Sequence, residues 1–153
     1  MSATKTSLAV AALENGTVID HIPSASLFKV VRLLGLEQME SGVTIGNNLP
    51  SSRLGRKGII KLENIEFDTD TLNRIAIIAP TATVNVIRNY DVYRKGCVEL
   101  PSLLKGIVRC PNPKCISNHE PMSTQFVVEP GEEVRLRCRY CNHSIKGEDA
   151  TTV

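Results

Sequence analysis

No stretch of this 153-residue sequence stays apolar for anything near the ~18 residues that a membrane-crossing helix requires. No charge dominates either: 18 Lys and Arg stand against 16 Asp and Glu, a net charge of +2. Before Pro101 there are 11 basic and 10 acidic residues, and after it 7 and 6, so neither half is a polycation suited to a phosphate backbone. Internal repeats and low-complexity segments are lacking. Met1–Ser7 is short and polar, with no hydrophobic leader. Together with five cysteines, this predicts a reducing, cytoplasmic setting in which thiols bind metal rather than pair as disulfides. The N-terminal half also lacks a nucleophile–base signature. Asp20-His21 is its adjacent acid–imidazole pair, and neighbours in a strand point to opposite faces, so no catalytic dyad is expected.

What is present begins with the cysteines. Cys110-Pro-Asn-Pro-Lys-Cys115 and Cys138-Arg-Tyr-Cys141 are two thiol pairs with 22 residues between them. A thiolate pair across a tight knuckle, repeated at a distance suited to a β-hairpin, makes a tetrahedral all-sulfur zinc site. Four protein ligands leave no position for water or substrate, so one Zn2+ would fold a domain and not catalyse. His119 and His143 lie close in sequence but are not needed to complete the ligand set. Cys97 stands alone and reads as a small buried hydrophobe.

The first hundred residues carry their own pattern. Leu8–Leu13 and Thr17–Ile22 read as extended segments around Asn15-Gly16. Ser24 or Ser26 can cap a helix whose apolar face is Leu27, Val30, Val31 and Leu34, with Gly35 as its stop. Val43–Leu49 is strand-like, Pro50–Gly58 reads as a loop, and Ile59–Ile65 alternates as a strand with two differently used faces. Asp68 or Thr69 can cap a second helix bearing Leu72, Ile75, Ala76 and Ile78, which Pro80 ends. Thr83–Ile87 and Tyr90–Lys95 follow as β-rich runs joined at Arg88-Asn89. This order predicts an α+β chain whose first domain is a ferredoxin-like antiparallel sheet with two helices on one face. Residues 1–97 are expected to form that domain, 98–101 the linker within the breaker-rich Gly96–Pro101 stretch, and 102–153 a small all-β, zinc-ribbon-like domain. In the latter, Thr124–Glu129 and Val134–Cys138 are strands, with Val134, Leu136 and Cys138 facing inward. At ~50 residues such a module is below the size that an apolar core alone sustains, and the metal replaces the missing core.

One set of polar residues falls on the predicted strands: Asp20, Lys61, Asn85 and Lys95. A strand lysine is expensive to bury, so two of them point either to a solvated sheet edge or to a bound anion.

Gly16-Thr-Val-Ile-Asp-His-Ile-Pro23, Thr44-Ile-Gly-Asn-Asn-Leu-Pro50, Gly55-Arg-Lys57, Ile60-Lys-Leu-Glu-Asn64, Ala79-Pro-Thr-Ala-Thr-Val-Asn85 and Asn89-Tyr90 resemble the regulatory chain of aspartate carbamoyltransferase. So do Cys110–Ser117 and Cys138-x-Tyr-Cys141, and the likeness runs in order from about Leu8 to past Cys141. The resemblance implies a chain without activity of its own, acting in pyrimidine biosynthesis. Such a chain binds CTP and ATP in its ferredoxin-like domain and grips the catalytic chain through its zinc domain. It pairs with a second copy, and the pairs bridge catalytic trimers whose tense–relaxed equilibrium the effector shifts. By the same resemblance Lys61 and Lys95 serve the nucleotide, and Asp20 the ribose, with His21 in the same pocket. Ala12, Leu13, Val18, Asn85, Ile87, Tyr90 and Val92 frame base and sugar. Ammonium groups neutralise a triphosphate, a carboxylate accepts from ribose hydroxyls, and backbone edges can tell pyrimidine from purine. The sequence departs from enteric members around Ala11, at Glu37–Ser41, which precedes the strand expected to pair in the dimer, and at Pro113-Lys114.

A reading from another class is a zinc-ribbon nucleic-acid-binding protein with a ferredoxin-like dimerisation domain, since both folds occur there. The balanced charge of the cysteine-rich half argues against it, and neither nucleic acid nor membrane is expected as a partner.

Overall fold

The computed structural model describes residues 13–151 and residue 153. Of the expected strand Leu8–Leu13, all but Leu13 therefore lies outside the described residues, as does Ala12 among the expected site residues. The chain divides into two compact units, Met1–Val98 and Glu99–Val153.

In the first unit the order is β1 (Gly16–Pro23), α1 (Leu27–Leu33), β2 (Val43–Ser51), β3 (Gly55–Glu63), α2 (Thr69–Ile78), β4 (Thr83–Arg88) and β5 (Asp91–Cys97). The strands lie in the order β2-β3-β1-β4-β5 with antiparallel neighbours throughout. Four strands and two helices thus make the ferredoxin-like arrangement, with β5 added at one edge. Ile19, Ile22, Ile60 and Leu62 from the sheet meet Leu27 and Val30 of α1 and Ile75 and Ala76 of α2 in a core with no solvent exposure. Asp68 caps α2, its carboxylate accepting from the Thr71 N–H at 2.7 Å. Gly35 follows the end of α1 in the left-handed region, at φ 64°.

Sequence periodicity and structure differ at four places. Neither Ser24 nor Ser26 caps α1 through its side chain, because a short 3-10 turn, Ser24–Ser26, leads into the helix and meets its first turn instead. The expected loop Pro50–Gly58 is mostly strand, since β2 runs to Ser51 and β3 starts at Gly55. The β4–β5 connection lies at Asn89-Tyr90, one residue later than Arg88-Asn89. Both residues have positive φ, 53° and 68°, as a tight turn matched to strand twist requires. Finally, β5 extends through Gly96 and Cys97 on the sheet edge, which leaves Cys97 exposed rather than buried.

Strand β1 is interrupted in an informative way. Its register with β3 shifts between Ile19 and Ile22, and His21 takes φ 57°. Strict alternation would turn Ile22 away from the core. The bulge spends one extra residue there, so Asp20 and His21 both stay partly exposed while Ile22 returns to full burial.

The second unit is a four-stranded sheet in the order β6-β7-β8-β9, made of Leu103–Lys105, Gln125–Glu129, Arg135–Cys138 and Ser144–Lys146. Val134, Leu136 and Cys138 are buried, and Phe126, Leu104 and Val108 complete a small core with them. Among the described residues no helix is long and apolar enough to cross a membrane.

Gly16 opens β1 at φ 144°, and a Cβ there would be driven into the Leu62 carbonyl oxygen of the paired strand. Gly16→Ala is expected to destabilise the first unit by about 3 kcal/mol or more, because both backbone strain and steric overlap are unavoidable. Gly35→Ala, where a Cβ would meet nothing, is expected to lose only about 1–2 kcal/mol from the left-handed backbone alone. Urea denaturation of the two variants checks the ranking; equal losses contradict it.

Candidate functional site

The open face of the first sheet gathers three of the four polar strand residues, Lys61, Asn85 and Lys95, into one row. Val18 of β1 pairs with Lys61 of β3 on one side and with Asn85 of β4 on the other, and Asn85 pairs with Lys95 of β5. Thr44 of β2 extends the row beyond Lys61. Residues in register across a sheet share a face. That face is opposite the helices, since Ile19, Ile60, Leu62, Val84 and Val86, which alternate with this set, are buried. Lys61 and Lys95 are three strand spacings apart, about 14 Å. Burial holds the Lys61 ammonium below its usual pKa, so a nearby anion would favour its charged form. Among the described residues Asn85 Oδ1 is one of four buried side-chain polar atoms without a hydrogen-bond partner.

A second row lies beside the first, where Asp20 pairs with Thr83 and Thr83 with Cys97. The bulge aims the Asp20 carboxylate along this face. Its Oδ1 accepts from the His21 N–H at 2.6 Å and lies 2.9 Å from Lys57 Nζ, while Oδ2 accepts from Lys57 at 3.1 Å. His21 Nδ1 and Thr83 Oγ1 are hydrogen-bonded at 2.9 Å, and the Thr81 hydroxyl donates to the His21 carbonyl at 2.8 Å. Sequence reasoning missed Lys57, which it had placed in a loop. The signal that could have found it is alternation back from Lys61 through Ile59. Ile87 and Val92 pair with one another further along, and the Tyr90 N–H donates to the Glu14 carbonyl at 2.9 Å, next to half-buried Leu13.

In the second unit the two knuckles bring Cys110, Cys115, Cys138 and Cys141 together, with all four sulfurs within 4.8 Å of one another. Cys110 and Cys141 Sγ are 3.6 Å apart, and Cys115 and Cys138 Sγ 3.7 Å. A tetrahedral ion with metal–sulfur bonds of ~2.3 Å sets sulfur–sulfur edges of ~3.8 Å, so the cluster has the size of a closed four-thiolate site. Asn118 holds the first knuckle, its Nδ2 donating to the carbonyls of Cys110 at 2.9 Å and Asn112 at 2.8 Å. At the divergent Pro113-Lys114 pair, the Pro113 carbonyl is 2.7 Å from His119 Nε2 and the Lys114 N–H donates to Asn112 Oδ1 at 3.0 Å. Neither His119 nor His143 belongs to the sulfur cluster. The second knuckle closes through the Cys138 N–H on the His143 carbonyl at 2.9 Å.

Burial pushes the Cys110 thiol up to about 12 and raises Cys138. At Cys141 burial pulls the same way, but hydrogen bonds from the Asn112 side chain, the His143 backbone and Cys110 outweigh it and bring the thiol down to about 7. Metal entry therefore displaces protons, and acid favours release.

Residues 8–99 match the family described as aspartate carbamoyltransferase regulatory chain, allosteric domain, and residues 102–151 match the metal binding domain of the same chain. The aspartate carbamoyltransferase regulatory chain of Bacteroides fragilis is 52% identical over 153 residues, all of both chains. That of Parabacteroides distasonis is 53% identical over 145 residues, 95% of this chain and 94% of the relative. The archaeal relative from Pyrococcus horikoshii is 44% identical over 144 residues, 93% and 95% of the two.

Because the second unit has so small an apolar core, removing its metal is expected to unfold residues 104–151 while the first unit keeps its structure. Cys138→Ser is expected to do the same. Hydrogen exchange read unit by unit checks this; native protection of the C-terminal amides after chelation contradicts it.

Proposed function

The chain belongs to the aspartate carbamoyltransferase regulatory chain family, with an allosteric and a metal-binding domain, and we propose that it binds CTP and ATP on the open sheet face of its first unit. It is a regulatory and not a catalytic chain. The observation that carries the nucleotide reading is the in-register row Lys61–Val18–Asn85–Lys95. Its two ammonium groups take the triphosphate, and Asp20 accepts from the ribose hydroxyls. His21, Asn85, Ile87, Tyr90 and Val92, with the chain at Ala12 and Leu13, line base and sugar.

The second unit holds one structural Zn2+ on Cys110, Cys115, Cys138 and Cys141. Thiolate-only tetrahedral ligation suits zinc, and with every position filled the ion leaves no opening for chemistry. Exposed Ile116, Met122 and Tyr140 near the knuckles supply apolar contact area for the catalytic chain. Two copies pair through the first unit, and the pairs bridge catalytic trimers. In support of pairing, β2 is an edge strand. A groove of about 440 Å³ beside it is lined by Phe28, Val31, Leu36, Val43 and Ile45 together with the charged Arg32 and Glu37, and Phe28 and Ile45 are exposed. Among the outward arginines of β8, Arg135 lies 3.5 Å from Glu133 and Arg137 lies 3.6 Å from Glu129, acidic neighbours that argue against a nucleic-acid surface.

Lys61→Ala and Lys95→Ala each remove one charge from the triphosphate, a contact worth about 1.5–3 kcal/mol. Each is expected to weaken CTP and ATP binding at least about tenfold, with metal content and catalytic-chain binding unchanged. Calorimetry giving wild-type affinity in both variants overturns the assignment of the site to this face.

A further inference from the structure

The one ion pair among those identified in the described residues with both partners mostly buried joins a proposed nucleotide ligand to a residue outside the expected set. Side-chain exposure is 13% for Lys57 and 20% for Asp20, against 42% or more for each partner in the other ion pairs. A Cβ at Gly58 would meet Leu27 of α1, so Gly58 points at the helices and its neighbours Lys57 and Ile59 point to the open face. Lys57 thus shares that face with Lys61 and Lys95, two residues beyond Ile59 along β3 in the case of Lys61.

From this geometry we propose that the Asp20–Lys57 pair makes the cationic face selective for nucleoside triphosphates over bare polyphosphate. The proposal rests on the nucleotide reading above and assigns the source of its selectivity. An ionised carboxylate only accepts hydrogen bonds, and phosphate oxygens also only accept. A bare polyphosphate drawn to Lys57 must therefore take this ammonium from Asp20 and leave a mostly buried carboxylate without its counter-charge. Nothing in a polyphosphate can compensate that loss. A ribose diol can, because its hydroxyls donate to the Asp20 oxygens as Lys57 turns toward the phosphates. The His21 N–H stays on Oδ1 at 2.6 Å and holds the carboxylate in place during the exchange. Asp20 is then both a ribose ligand and an internal competitor for Lys57, and only a ligand carrying sugar and phosphate together satisfies both partners.

The test uses the full chain in complex with its catalytic chain and measures binding of inorganic tripolyphosphate, CTP and ATP by calorimetry. Asp20→Asn keeps the shape and releases Lys57. Tripolyphosphate is expected to bind at least about tenfold more tightly to this variant, and the preference for nucleotide over tripolyphosphate to shrink correspondingly. In a Lys57→Met background the same Asp20→Asn change is expected to lose most of its effect, because the competed ammonium is gone. Unchanged or weaker tripolyphosphate binding in Asp20→Asn overturns the proposal, as does an equal gain with and without Lys57. If nucleotide binding still depends on Lys61 and Lys95, such a result leaves the nucleotide site standing and removes only the selectivity device. Absence of triphosphate binding by the wild-type complex overturns both.

Discussion

The first unit depends on how β1 is held between β3 and β4. It is the central strand of five, and its side chains must serve two masters: Ile19 and Ile22 seal the core against the helices, while Val18 and Asp20 face the open side. An unbroken strand cannot place Ile19, Asp20 and Ile22 in this way, because the two-residue period would send Ile22 outward. The bulge at Asp20-His21 resolves the conflict, with His21 taking up the left-handed conformation. Through the register of this one strand, Lys61 and Asn85 flank Val18 and Asp20 comes within reach of Lys57. The polar face is a consequence of core packing, set by residues that never touch it.

The second unit solves a different problem. Its sheet has four short strands and buries Phe126, Leu136, Leu104 and Val108 with few other large side chains. Cys138 ends β8, while Cys110, Cys115 and Cys141 lie in the adjoining loops and turns, held by backbone hydrogen bonds across each knuckle, so strand pairing and sulfur clustering support each other. One unit is stabilised by helix–sheet burial and offers a charged face. The other relies on metal ligation and offers exposed apolar residues around the knuckles. This division of labour suits a subunit that senses a small anion and holds a large partner, as expected of the family.

Much of this was legible in the sequence, for identifiable reasons. The cysteine spacing, the Asp68 cap and the alternation of Val134, Leu136 and Cys138 are local signals with a single physical reading, and the structure follows them. Asp20, Lys61, Asn85 and Lys95 are legible as polar groups on strands, but the row that Lys61, Asn85 and Lys95 share, and the place of Asp20 in the next row, depend on long-range register, which periodicity cannot give. The departures have local causes. Proline, serine and glycine between Pro50 and Gly58 imitate a loop, although only three residues of turn separate β2 from β3, and this hid Lys57. Positive φ at Asn89 and Tyr90 moved the β4–β5 turn by one residue. Cys97 was read as buried because cysteine usually is, but it sits on an edge strand exposed along its whole length.

An effector can shift a two-state equilibrium only through its different affinity for the two states, and that coupling is reciprocal. The most direct test of a nucleotide-sensing regulatory chain is therefore the CTP and ATP affinity of this chain in three forms: free, in the holoenzyme, and in the holoenzyme held relaxed by a substrate analogue. Reciprocal coupling predicts that the analogue changes nucleotide affinity by roughly five- to hundredfold, about 1–3 kcal/mol. Identical affinities in all three forms would contradict it.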